Sequence, residues 1–321
     1  MQKDLEKWLD DVWKERVRLL AESKKQGYIK GRGASAGMEQ NEGVGLIYDM
    51  YNEGGAITSS DGSHLEAMRR ELVLLEAKIN KAPEDQNKGF TERLLGWVAT
   101  VDISALSDNF LHYRKQKAQS VHRIYINAVP ATRGKLFKGI LADCNLWGVD
   151  GLHNAKISSP DDGGRVDTIV IYLGTEKAVE AALGCIAAYH KANKGEFNAA
   201  LPKLVVPASD NSYKMHGVGT AMEPPSFTLI STGGQFYARR KGQSFGAYRA
   251  ELIFMALERT RLDVQGQTEL HRKAAFKKRV EKYFRRAGID PDKPALQMQI
   301  EALPSIWSIQ DWANKTDGDI L

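Results

Sequence analysis

Cysteine is scarce in this chain: Cys144 and Cys185 are the only two in 321 residues. So few thiols build no disulfide framework, and no CxxC, HExxH or DxDxDG spacing marks a metal site. Both cysteines stand in apolar, helical-looking contexts and read as buried thiols of a reducing compartment. Long apolar runs are also missing. Mean hydropathy is −0.40, and no stretch approaches the ~20 apolar residues of a membrane-spanning helix, so no membrane partner is expected. The opening MQKDLEKWLDDVWKERV is charged and amphipathic. It shows neither the apolar centre nor the cleavage site of a Sec signal, which makes a cytoplasmic location the expectation. No charge sign dominates, with 45 Lys and Arg against 40 Asp and Glu, a net +5. That mild excess suits an anionic ligand without demanding nucleic acid. What is present is a 42% hydrophobic fraction, enough for a real core.

The pattern along the chain predicts an α+β fold, an antiparallel or mixed sheet flanked by helices, with a mostly helical N-terminal part. Residues 4–25 carry Leu5, Trp8, Leu9, Val12 and Trp13 at three- and four-residue steps, the stripe of one buried helix face. Residues 28–43 read as a loop, 64–82 as a second helix and 90–118 as further helical material, giving a helical region over 1–118. From 119 the pattern changes. VHRIYINAV alternates like a strand, Pro130 opens a helix, and LHNAKIS and RVDTIVIYL flank PDDGG as a β-hairpin. A helix ends near Gly195, 200–226 read as loop, and FTLIST and QFYARR pair across two glycines. A helix capped by Ser244 and another closed by Gly288 complete 119–321.

Basic residues on these strands carry the chemistry. Lys156 and Arg165 flank the hairpin turn, and an amine beside a guanidinium is what a phosphate site with an amine base needs. Arg165 and Asp167 share a strand face by period two, as do Arg123, Tyr125 and Asn127. Arg249 lies in the first turns of the SFGAYR helix, where free backbone N–H groups favour an anion. Arg239, Arg240 and Lys241 form a basic run just before it. The helix over 267–286 is basic too, but Glu269 and Glu281 interrupt it and its aromatics do not interleave in a repeating pattern, so nucleic-acid binding is not expected.

Several ordered segments carry a resemblance: RIYINAVP, NAKISSP with RVDTIVIYL, GVGTAMEP, QSFGAYRAELI and AGIDPDKPAL. Across roughly 119–297 the chain resembles the Hop A family, known as type III effectors of plant-pathogenic bacteria and as the lyase component of class V lanthipeptide biosynthesis. That family is similar in turn to phosphothreonine lyases and to the lyase domains of lanthionine synthetases, which eliminate phosphate from phosphoserine or phosphothreonine.

The resemblance implies a cofactor-free β-elimination. Lys156 would be the base, and Arg123, Arg165 and Arg249 the phosphate ligands, supported by Asn127, Asp167 and Arg240. The lyases carry a histidine acid where this chain has Tyr125, and His122 would face the other way. The implied partners are a phosphorylated precursor peptide and a separate kinase-like protein, with residues 1–118 free to dock either partner or leader. The alternative is a degenerate secreted effector that binds a host protein.

Overall fold

The computed structural model describes residues 1–25, 29–30, 39–40, 42–52, 101–102, 110–114, 120–146, 149–158, 164–224, 227–232, 235–240, 244–264 and 266–297. In chain order the elements are α1 (Lys3–Lys25), β1 (Ile29–Lys30), β2 (Glu39–Gln40), α2 (Glu42–Tyr51), β3 (Val101–Asp102) and β4 (Phe110–Arg114). Next come β5 (His122–Ile126), a 3-10 turn (Pro130–Thr132), α3 (Arg133–Leu146), β6 (Leu152–Ser158), β7 (Ile169–Leu173) and α4 (Glu176–Ala192). The order closes with β8 (Val206–Asp210), β9 (Tyr213–Met222), β10 (Phe227–Thr232), β11 (Gln235–Arg240), α5 (Phe245–Asp263) and α6 (Glu269–Arg286). This is an α+β fold, and the described N-terminal elements are chiefly helical, as the sequence predicts. The chain forms two compact units, 1–51 with 222–321, and 52–221.

The second unit is built on a sheet of order β3-β4-β6-β7-β5-β9-β8. The pairs β3–β4, β4–β6, β6–β7, β5–β7 and β8–β9 are all antiparallel. Alternation along β5, β6 and β7 turns Ile124, Ile126, Ala155, Ile157, Ile169, Ile171 and Leu173 into one apolar cluster with Leu136, Phe137, Ile140 and Leu141 of α3 and Ala182 and Ile186 of α4. Helices therefore cover one face of the sheet. Pro130 opens the turn that leads into α3, as the missing N–H of proline allows. Thr175 caps α4 by accepting the Ala178 N–H at 3.1 Å.

Three sequence expectations are corrected here. Residues 110–114, read as helical, form β4, which pairs along β6 from Phe110 opposite Ser158 to Arg114 opposite Asn154. The stretch 200–226, read as loop, contains β8 and the ten-residue β9. Its glycines hide the strand, since glycine weakens a strand signal. Gly217 has φ +69, and a Cβ there would collide with the Asn198 carbonyl oxygen, so only glycine fits. Finally β7 starts at Ile169, which leaves Arg165 and Asp167 in the segment before the strand. The helix expected over 64–82 lies outside the described residues.

The first unit packs helices. α1 buries Leu5, Trp8, Leu9 and Val12, and Trp8 meets Tyr51 of α2 at a ring separation of 6.0 Å. Tyr51 in turn meets Phe245 of α5 at 6.0 Å. The basic face of α6 is turned to α1: Lys277 pairs with Glu6 at 3.1 Å and Asp10 at 2.7 Å, and Lys273 with Asp10 at 2.9 Å. Ser244 caps α5 through the Ala247 N–H, and Gly288 at φ +74 closes α6, both as read from the sequence.

Candidate active site

The face of the β4–β6–β7–β5 array away from α3 and α4 follows from register. Arg123 stands opposite Tyr172 and Tyr125 opposite Val170, while Val170 stands opposite Lys156 and Tyr172 opposite Asn154. Residues directly opposite in an antiparallel pair share a face. Arg123, Tyr125, Tyr172, Val170, Asn154, Lys156 and Ser158 therefore line one surface. It is polar yet largely shielded: Arg123 is 5% exposed, Tyr125 1% and Ser158 0%, with Lys156 half-buried. His122 stands opposite Leu173, on the other face, where burial holds its imidazole below the ordinary histidine range.

Phe110 organises the Lys156 end. It stands opposite Ser158, and its ring lies 3.8 Å from Lys156 Nζ and 4.7 Å from Arg165 Cζ, measured to the centroid. One quadrupole thus draws in both cations. Arg165, although ahead of the strand, reaches the same place. Its Nε and Nη2 donate to the two oxygens of Asp167 at 2.8 and 2.9 Å, and this bidentate fork fixes the plane of the guanidinium. At the other end, Arg123 Cζ stands 4.9 Å from the Tyr172 ring centroid, and Arg123 Nη1 donates to Tyr125 Oη at 3.3 Å. A phenol that accepts from a guanidinium keeps its own O–H as a donor.

The strand ends beneath these groups are tied together. Thr168 Oγ1 donates to the Ile126 carbonyl at 2.9 Å and accepts the Ala128 N–H at 2.7 Å. The Ser158 N–H donates to the Thr168 carbonyl at 2.8 Å, and Arg133 Nη1 donates to Ser158 Oγ at 2.9 Å. Asn127 serves the neighbouring chain: its Nδ2 donates to the Ala200 carbonyl at 2.9 Å, and its N–H to the Gly217 carbonyl at 2.8 Å.

Lys156, Arg165 and Asp167 thus converge around Phe110, and Arg123 and Tyr125 share their face. Arg249 and Arg240 belong to the other unit. Arg249 is fully buried. It donates from Nε to the Pro294 carbonyl at 2.8 Å and from Nη1 to the Phe245 carbonyl at 3.3 Å, and its Cζ lies 3.6 Å from the Phe245 centroid. Arg240 pairs with Phe227 in the β10–β11 hairpin. Sequence reasoning missed Phe110 and Tyr172. The alternation of IVIYL could have flagged Tyr172 as facing away from the core; the misread of 110–114 hid Phe110. Among the described residues, no group of three or more His, Cys, Asp or Glu could hold a metal, and no helix is long and apolar enough to cross a membrane.

A family model described as the HopA1 effector protein family matches residues 108–296. The chain belongs to the HopA1 effector protein family. That span contains every strand of the candidate face. Among solved structures, the effector protein of Pseudomonas syringae pv. syringae strain 61 is 16% identical, with a TM-score of 0.52, over 92% of this chain and 98% of that one. That of Pseudomonas syringae pv. tomato strain DC3000 is 17% identical at a TM-score of 0.47, over 91% and 99%. The type III effector and phosphothreonine lyase OspF from Shigella flexneri is a distant likeness, 14% identical at a TM-score of 0.31, over 49% of this chain and 90% of that one. No curated protein matches the chain.

Proposed function

We propose that this HopA1-family protein is a phosphoserine/phosphothreonine lyase acting on a phosphorylated peptide. The observation that carries the reading is the gathering of Lys156 and Arg165 on the Phe110 ring, with Arg123 and Tyr125 on the same sheet face. A phosphomonoester needs planar, permanently charged donors, which Arg165 and Arg123 supply. Breaking its Cβ–O bond by elimination needs a base to take the Cα proton, the role this reading gives to the amine of Lys156.

In the proposed reaction Lys156 takes the Cα proton, and the C–H electron pair becomes the Cα–Cβ double bond. The Cβ–O bond then breaks, and its electrons leave with the phosphate. Tyr125 delivers a proton to the departing oxygen, while the arginines offset the charge gathering there. The products are a dehydroamino acid and inorganic phosphate; no water is consumed, and no electrons enter or leave. Asp167 holds the Arg165 fork in its plane. By family resemblance the substrate is a lanthipeptide precursor, phosphorylated by a separate kinase-like protein.

Mass spectrometry of a phosphoserine peptide incubated with the protein tests this reading. Elimination removes phosphoric acid whole and leaves dehydroalanine. Recovery of unmodified serine, or of intact phosphopeptide, would overturn it. In the latter case the effector reading, binding without turnover, takes its place.

A further inference from the structure

We infer that Asn154 holds the peptide backbone of the substrate, its carboxamide pairing with a peptide unit beside the phosphorylated residue; the inference rests on the lyase reading above. The polar face is largely shielded, and the place where it opens is specific. Burial runs unbroken along β6 except at Asn154 and Lys156, which are partly exposed. Along β7 it is broken at Tyr172. Tyr172 stands directly opposite Asn154, and Lys156 lies two residues further along the same face. The open part of these two strands is therefore one patch, made of Asn154, Tyr172 and the proposed base.

An irregularity in the strand puts Asn154 there. Leu152 belongs to the apolar cluster, and strict alternation from it would send Asn154 into the same core. The register shifts between them instead: Leu152 stands opposite Leu173, and Asn154 opposite the adjacent Tyr172. A bulge of this kind re-aims side chains, so Ala155 takes the core side and Asn154 the Lys156 side. The carboxamide that arrives is not engaged by the fold. Its Oδ1 is buried and accepts no hydrogen bond, which leaves a desolvation cost that a donor would relieve. The last torsion of an asparagine is broad, so the oxygen can swing to the open side, with Nδ2 as a donor beside it. A donor and an acceptor side by side complement a peptide unit, whereas a phosphate dianion offers acceptors alone. Two residues of strand set Asn154 about 6.5 Å from Lys156, the span of about two residues of extended peptide. A substrate laid along β6 with its phosphorylated residue at Lys156 therefore carries a neighbouring peptide unit past Asn154.

The test uses the full chain, a phosphoserine peptide as substrate and inorganic phosphate as a second probe. Asn154→Ala is expected to raise KM for the peptide about tenfold, the scale of one or two lost neutral hydrogen bonds, and to leave the affinity for inorganic phosphate as it is. Two further peptides replace one or the other amide N–H flanking the phosphoserine by an ester oxygen. One of them is expected to cost the wild-type chain about what the substitution costs, and to cost Asn154→Ala nothing more, the non-additivity of a direct contact. Ester and substitution losses that simply add, an unaltered KM, or a matching loss of phosphate affinity would each overturn the role of Asn154. If Asn154→Ala does not fold, the ester peptides decide on the wild-type chain: a raised KM with one of them supports the inference, and an unchanged KM with both overturns it. A wild-type chain that eliminates no phosphate overturns the underlying reading instead.

Discussion

One sheet in this protein has two faces with opposite chemistry, drawn from the same strands. Along β5 and β7, Ile124, Ile126, Ile169, Ile171 and Leu173 turn into a core under two helices. Their alternating neighbours, Arg123, Tyr125 and Tyr172, turn to the other side with Lys156. Both faces are largely shielded from water, so burial alone does not set the difference. The apolar face gains stability from burial, each fully buried aliphatic side chain contributing about 1.5–3 kcal/mol. A buried charge costs free energy unless it is matched. On the polar face Arg123 is 5% and Arg165 7% exposed, and the match comes from within: Asp167 pairs with Arg165, while Tyr125 and Tyr172 contact Arg123.

Substitutions on the two faces should therefore fail in different assays. Lys156→Ala is expected to lower elimination on the order of 10³-fold while leaving thermal unfolding close to wild type; an active, folded variant removes this lysine from the base role. Ile171→Ala, on the same sheet but facing the helices, is expected to cost about 2–5 kcal/mol of stability and to leave turnover per folded molecule intact. Denaturant unfolding alongside phosphate release separates these two outcomes. Phe110→Leu keeps bulk but deletes the ring that packs against Lys156 and Arg165, so a smaller, several-fold loss in kcat/KM is expected, on the scale of about 0.5–1 kcal/mol for the Arg165 cation–π contact. An unchanged kcat/KM would mean that the ring merely fills space.

The smallest effect concerns pH. His190 is buried, its Nδ1 2.7 Å from Tyr213 Oη, and burial holds its imidazole below the ordinary histidine range. The unfolded chain therefore takes up this proton first. Stability is full above the ordinary histidine value and falls as pH drops toward the lowered folded value. A urea midpoint that falls on acidification, and falls less in His190→Gln, is the expected result; an identical slope in both chains removes His190 as a source.

Much of this arrangement could be read in the residues, and the gaps have physical reasons. The hairpin of β6 and β7, the Ser244 cap and the Gly288 stop all depend on local chemistry, which sequence displays directly. β9 escaped notice because Gly217 and Gly219 dilute its pattern, though its place beside β5 is fixed by contacts far along the chain. β4 is five residues of mixed polarity whose strand state comes from pairing with β6, a tertiary effect that overrides propensity. The site was legible where residues share a strand, as Arg123 and Tyr125 do. Arg165 was named as well, but not its route: it reaches the Phe110 ring from the segment before β7 rather than from the strand itself.

The most direct measurement follows the Cα hydrogen itself. A phosphoserine peptide deuterated at Cα is incubated with wild-type protein, and phosphate release and deuterium content are read together. The account predicts that each phosphate released is matched by one deuterium lost from Cα, that release is slower than from the protiated peptide, and that Lys156→Ala stops both. Phosphate released with the Cα deuterium retained would contradict it.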